Sequence, residues 1–388
     1  MTAPLSFTPR ARLLDFMRQA DEPGLINLAA GIPGLDALPT EALHCALETA
    51  RTRDGAGLFA YHHPEGDHAL RDLLAARLAN RDVAVRGTDL ITVTGCTQGL
   101  SVMISLLVQP GTVVAVEAPA YYGLLELLSA AGAQVLPLPL DGPHGLDLAA
   151  TEAAFRQWKP RALFVCSSLS NPSGATLPAP ARERLVELCR THAVRIVEDD
   201  IYAELVDTGA PPPLRAFDDG STVSYVTSFS KTVSPGLRVG FCAPGSLFEE
   251  FAARKCQWDL HSAVPTEAIL REFLAAGFLD PHLASLRTRN QRRRAIALQS
   301  IARSFPAGTT IHEPAGGYML WAQLPALIDL PAAAAAARTR RIAFASGNVF
   351  FANTPTTSCL RLNCARASEE DLARALQELG PLLHPTAQ

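Results

Sequence analysis

Between residues 90 and 242 the chain returns repeatedly to short β-branched runs, at 90–94, 113–116, 162–166, 194–197, 223–227 and 239–242, each followed closely by polar or turn-forming residues. Amphipathic stretches of helical length separate most of them, at 99–108, 122–131 and 180–192. Strands that alternate with helices predict an α/β fold with a mostly parallel sheet covered on both faces. In such a sheet ligands bind beyond the carboxyl ends of the strands, so the residues following each run are the first place to look for chemistry.

Beyond Pro244 the periodicity becomes helical and includes a long polar segment at 283–304. Strand-like pieces return at 317–321 and 359–363, and a last helix is expected at 368–379, with Ser368 at its start and Glu369, Glu370 and Asp371 in its first turn. The alanine run 332–337 after Pro331 reads as helix, because alanine is the best helix former and proline suits a first turn. The expected division is an N-terminal segment, 1–46, that joins the small domain, a large domain, 47–285, and a small C-terminal α+β domain, 286–388.

Composition narrows the possible functions. A chain of 388 residues with 48% hydrophobic and 19% charged positions is neither disordered nor a coiled coil. With 34 basic against 38 acidic side chains, net −4, no global field draws nucleic acid or an anionic membrane, and neither partner is expected. The opening residues lack the basic and apolar regions of a secretory leader, and the apolar stretch 102–108 is far shorter than the ~20 residues a bilayer requires. A cytoplasmic protein is expected. Eight cysteines without a CxxC pair read as reduced core residues, and ten histidines without HxH or HExxH spacing offer no metal site. The basic run 287–294 reads as the solvated face of a long helix, and Tyr318 and Trp321, alternating in a strand, read as core.

Only three of the 34 basic residues are lysines, Lys159, Lys231 and Lys255. Lys231 follows the run 223–227 among small hydroxyls, Ser228, Ser230 and Thr232, with Arg238 seven residues later. That combination can join a nucleophilic amine to an anion site, since desolvation frees a lysine amine for Schiff-base chemistry. The run 194–197 leads into Glu198, Asp199, Asp200 and Tyr202, and a buried carboxylate there, for which Asp199 is the choice, could hold a pyridine nitrogen protonated. Ser170-Asn171-Pro172-Ser173-Gly174 is turn chemistry that also sets a fixed amide beside the binding edge.

In combination and in order, from Leu28-Ala-Ala-Gly-Ile-Pro33 to Arg361, this pattern resembles the fold type I pyridoxal-phosphate enzymes of aminotransferase class I/II. Aminoadipate- and kynurenine-type aminotransferases and the catalytic domain of MocR-like regulators are the nearest relatives it suggests. The resemblance implies a seven-stranded-type sheet sandwiched by helices, with pyridoxal 5'-phosphate as cofactor. It implies that Lys231 holds the cofactor covalently and shuttles a proton, that Asp199 pairs with the ring nitrogen, and that Asn171 and Tyr202 bond the phenolic oxygen. Tyr121 would stack on the ring. Cys96, Thr97 and Gln98, opening a helix after Gly95, would bind the phosphate with Ser228, Ser230 and Arg238. Cys96 and Thr97 stand where the family more often carries Ser or Ala and Gln. Tyr61 matches the tyrosine that reaches the neighbouring subunit's phosphate, which implies a homodimer with shared active sites. Arg361 would clamp the substrate α-carboxylate, with Asn171 and Gly31 assisting.

The implied reaction moves an α-amino group between an amino acid and a 2-oxo acid. Other fates of the same Schiff base, elimination, racemisation, decarboxylation or oxidation, are alternatives that sequence does not separate. A MocR-like effector domain is a third, disfavoured here because residues 1 to about 25 are too few for a winged helix. Where acidic-substrate relatives carry an arginine in the first helix, this chain has Leu14, which leans toward apolar or aromatic substrates, although Arg12 lies two positions away.

Overall fold

The computed structural model describes residues 3–9, 13–20 and 22–384. Helix α1 (Leu13–Ala20) and strand β1 (Ile26–Asn27) precede α2 (Thr40–Asp54) and α3 (His68–Ala79). Strands and helices then alternate as β2 (Ile91–Val93), α4 (Cys96–Leu107), β3 (Val113–Ala118), α5 (Tyr122–Ala130), β4 (Gln134–Pro139), α6 (Leu148–Trp158), β5 (Ala162–Val165), α7 (Ala179–Thr191), β6 (Arg195–Asp199), β7 (Val223–Ser228) and β8 (Gly240–Ala243). Three helices follow, α8 (Phe248–Asp259), α9 (Val264–Ala275) and α10 (Leu279–Ser304). The remainder is β9 (Thr310–Ile311), β10 (Met319–Gln323), α11 (Leu330–Thr339), β11 (Ile342–Ala343), β12 (Ala345–Ser346), β13 (Cys359–Asn363) and α12 (Glu369–Leu379).

The main sheet runs β2-β8-β7-β6-β5-β3-β4, parallel from β7 through β4, with β8 antiparallel to both its neighbours. Successive strand residues serve opposite faces: Val114 and Val116 pack with α4 and α5, while Ala115 packs with Leu163, Phe155 and Leu185 under α6 and α7. The seventh strand, β4, escapes the sequence pattern because Pro137 and Pro139 interrupt it. Prolines are tolerated there because β4 is the edge strand of the sheet, paired along its length with β3 and bridged on its outer side, among the described residues, by Leu5 at Val135.

The smaller sheet, β12-β13-β10-β9, is antiparallel, and β1 pairs in parallel with β11 beside it, which binds the N-terminal segment to the C-terminal part of the chain. Ser368 accepts a hydrogen bond from Asp371 N at 3.0 Å and Pro331 lies in the first turn of α11, as their sequence context predicts. Helix α10 belongs to both halves. Leu279 and Leu283 join the core around α3 and α9, and Ala297 and Ile301 join the core of the small sheet. We propose keeping the division at 46 and 285, with the second boundary inside α10. The reading of 287–294 as a solvated face is corrected: Arg293 and Arg294 are buried, paired with Asp36 and Asp207 and donating to the carbonyls of Ala365 and Gly317.

Candidate active site

The carboxyl ends of β3, β5, β6 and β7 and the start of α4 enclose a cavity of about 140 Å³. Glu117 to Tyr121 follow from β3, Cys166 to Asn171 from β5, Asp199 to Tyr202 from β6 and Ser228 to Lys231 from β7. Arg361 enters from β13, and Leu13, Phe16 and Met17 of α1 close the side away from the sheet. Of the residues predicted from sequence, Gly31, Cys96, Thr97, Tyr121, Asn171, Asp199, Tyr202, Ser230, Lys231, Arg238 and Arg361 all line this one space.

Lys231 is the lysine that faces it. Its Nζ donates to Gly31 O at 2.9 Å, and burial, with the nearby positive charges of Arg361 and Arg238, pushes it down to about 8. Lys255 is fully buried, but it donates to Pro64 O at 3.1 Å, pairs with Asp259 at 3.3 Å, and does not line the cavity. Lys159 is an exposed αL residue ending α6. Asp199 is pushed up to about 6 by burial, partly countered by its hydrogen bonds. Its Oδ1 accepts from Cys96 Sγ at 3.0 Å and from Ile201 N at 3.3 Å. Burial also raises the phenols of Tyr121 and Tyr202, so both remain protonated donors.

An anion cup lies at one end. Gly95, at φ 78°, opens α4, and the N–H groups of Cys96 and Thr97 have no partner among the described residues. Ser230 Oγ stands 2.9 Å from Ser228 Oγ and accepts from Arg238 Nη1 at 3.1 Å; Arg238 Nη2 donates to Thr94 O at 3.1 Å. A Cβ at position 95 would run into the Arg238 guanidinium, so glycine is required both for the backbone angle and for the approach. Opposite the cup, Arg361 is fully buried rather than a surface residue of its strand. It donates to Asn171 Oδ1 at 2.8 Å and to Ala29 O, and its guanidinium lies 4.9 Å from the Phe350 ring centroid and 5.7 Å from that of Tyr122.

Three predicted residues lie outside the cavity lining. Gln98 turns its side chain to Thr94 N and Asp259, so it shapes the turn rather than facing the space. Ser228 acts through Ser230 and Val239 O. Tyr61 is 83% exposed, its ring edge-on to His261 at 5.5 Å between centroids, away from this chain's own cavity. Leu14, taken from sequence as a substrate reader, is 52% exposed; its helix neighbours Leu13, Phe16 and Met17 face the cavity instead, and Arg12 lies outside the described residues. Sequence reasoning missed Glu117 and Tyr122. Glu117 accepts from Cys166 N at 2.9 Å and Ser170 Oγ at 3.0 Å, and burial pushes it up to about 7. It lies at the carboxyl end of β3, where an acid at a buried strand end was the available signal. Tyr122 stacks on Phe16 with centroids 4.7 Å apart.

A doubly wound sheet presenting a half-buried lysine and carboxylate, an anion cup and a second, fully buried arginine defines a Schiff-base enzyme for a phosphorylated aldehyde cofactor and a carboxylate substrate. The comparison with known proteins gives the family. Residues 23–379 match the profile described as aminotransferase class I and II, and the chain belongs to that family. It is 28% identical over 382 residues, 98% of this chain and 81% of the relative, to the uncharacterized HTH-type transcriptional regulator YjiR of Escherichia coli strain K12. Among solved structures it matches the Pyrococcus horikoshii kynurenine aminotransferase with TM-score 0.90 and 25% identity, covering 96% of this chain and 94% of that one. It matches the α-aminoadipate aminotransferase LysN of Thermus thermophilus, complexed with N-(5'-phosphopyridoxyl)-L-leucine, with TM-score 0.88 and 29% identity, covering 96% and 95%. The family uses pyridoxal 5'-phosphate, and the donor set here fits it: unpaired helix N–H groups and Arg238 for a phosphate, Asp199 for a ring nitrogen, Lys231 for the aldehyde carbon.

Proposed function

We propose that this aminotransferase moves the α-amino group of apolar and aromatic amino acids to a 2-oxo acid, using a cofactor bound as the sequence resemblance implies. The observation that carries the substrate class is the wall opposite the sheet: Leu13, Phe16 and Met17 with Tyr122 form an apolar surface, and the cationic side chains lining the cavity, among the described residues, are Lys231, Arg238 and Arg361. Each has a task in this reading, so among the described residues no cavity-lining cation is left for a distal carboxylate. The kynurenine and leucine moieties named for the two solved relatives are of the same chemical kind.

When bound, pyridoxal 5'-phosphate supplies an electron sink for the substrate Cα. The chain's residues do the rest. Arg361 holds the substrate carboxylate with a planar fork while Asn171, whose Oδ1 is committed to Arg361, keeps its amide NH₂ as a donor. Lys231, as a free amine, would take the proton from the substrate Cα and deliver it to the former aldehyde carbon of the cofactor. Asp199 would keep the ring nitrogen protonated, and Tyr121 and Tyr202, both lining the cavity, would respectively pack on the ring and donate to its oxygen. Thr97, the N–H groups opening α4, Ser230 and Arg238 hold the phosphate, with Ser228 and Gln98 supporting that turn. Tyr61 completes the phosphate site of a second copy in a homodimer.

Spectral titration of the cofactor-loaded protein against the common amino acids tests the assignment. Leucine, methionine, phenylalanine and tyrosine are expected to convert the bound cofactor to its amine form and support turnover with a 2-oxo acid; conversion by aspartate and glutamate alone would contradict it. The regulator relationship favours a second reading, in which the site binds amino acids as effectors. Binding of those amino acids without turnover would favour that reading.

A further inference from the structure

We infer that Cys96 is a positioning residue for Asp199: its thiol fixes one carboxylate oxygen so that the other is presented to the cavity. Cys96 is the first residue of α4, buried, and its Sγ lies 3.0 Å from Asp199 Oδ1. The same oxygen accepts from Ile201 N at 3.3 Å, whereas Oδ2 has no partner among the described residues although Asp199 lines the cavity. One oxygen is therefore anchored from two sides and the other is left for a donor arriving in the cavity. The thiol's state suits the task, since burial and the adjacent carboxylate hold its titration well above the ordinary range and keep it an S–H donor. Among the described residues, Cys96 is the side chain that anchors this carboxylate. The anchor also joins two parts of the site, because the helix start that carries Cys96 offers its N–H groups to the anion cup.

The inference rests on the reading that Asp199 holds the cofactor ring nitrogen, and the test separates the two. Cys96→Ala, Cys96→Ser and Asp199→Asn are compared as full-length proteins by titrating the apoenzyme with pyridoxal 5'-phosphate across pH and reading the dissociation constant. Donation to a carboxylate lowers its proton affinity, so Cys96→Ala is expected to weaken cofactor binding about tenfold at neutral pH. It should also move the acid limb of the affinity profile to higher pH. Cys96→Ser, which keeps a donor, is expected to restore both. A purely structural role would change affinity at all pH values alike and leave the limb in place, and that result overturns the inference. It is equally overturned if Cys96→Ala behaves as the unmodified protein while Asp199→Asn loses affinity. If Asp199→Asn loses nothing, the underlying reading of Asp199 fails. Should Cys96→Ala not fold, a Cys96→Ser profile whose limb lies at or below that of the unmodified protein upholds the inference, and one displaced to higher pH overturns it.

Discussion

Lys231 is half-buried, with its Nζ against a carbonyl and near two guanidinium groups and Asp199 as the compensating charge, a combination that would make its amine reactive. Its titration falls from 10.5 to about 8, so the neutral, nucleophilic form accumulates as pH rises through about 8 instead of through the ordinary lysine range. Capture of pyridoxal 5'-phosphate by the apoenzyme, followed by borohydride reduction at timed intervals, should accelerate across that window and level off above it; a rise centred near the ordinary lysine range would contradict the assignment. Arg361 bears the other large stake at this scale. Arg361→Leu removes the buried cation proposed to hold the substrate carboxylate, and KM for amino acids should rise by about 100-fold, with a smaller change in kcat. Steady-state kinetics with an unchanged KM would assign the carboxylate to another donor. Lys231, Asp199 and Asn171 were legible in the sequence because strand-end chemistry follows directly from the alternating pattern. The cavity side of α1 was not, since whether Leu14 or Leu13 faces inward depends on how the helix seats on Tyr122 and Glu126, an arrangement set by tertiary contact.

The element that departs most from its sequence reading is α10. A run of five arginines between 287 and 294 has the composition of a solvated face, yet Arg293 and Arg294 are buried because their partners, Asp36 and Asp207, lie some 257 and 87 residues away in the chain. Such pairings leave no local trace. Both pairs fasten α10, which shares two cores, to segments distant in the chain. Arg294→Met strands Asp207 with one uncompensated carboxylate and Gly317 O without its donor, and a loss of about 3 kcal/mol in urea unfolding is expected. An unfolding midpoint equal to that of the unmodified protein would show the pair to be dispensable. The start of α12, by contrast, was legible because Ser368 and Asp371 are local partners.

At the scale of the whole molecule, a loop and helix end carry Phe59, Tyr61, Trp258 and Leu260 as large exposed hydrophobic side chains, and Tyr61 does not line its own chain's cavity. A second copy covering this face would bury them and bring Tyr61 to a partner's phosphate site; obligate interfaces of that kind bury upward of ~2,000 Å². Chains carrying Tyr61→Phe mixed with chains carrying Lys231→Ala should form hybrids in which the intact lysine faces an intact partner tyrosine, so cofactor affinity at that site should recover. Affinity that stays at the Tyr61→Phe level would confine each site to one chain. The central claim, that Lys231 carries the chemistry of an aminotransferase site, has a direct test because the chain has only three lysines. Borohydride reduction of the protein loaded with pyridoxal 5'-phosphate, followed by peptide mass mapping, should place the label on Lys231 alone; label on Lys159 or Lys255, or none on Lys231, would contradict the account.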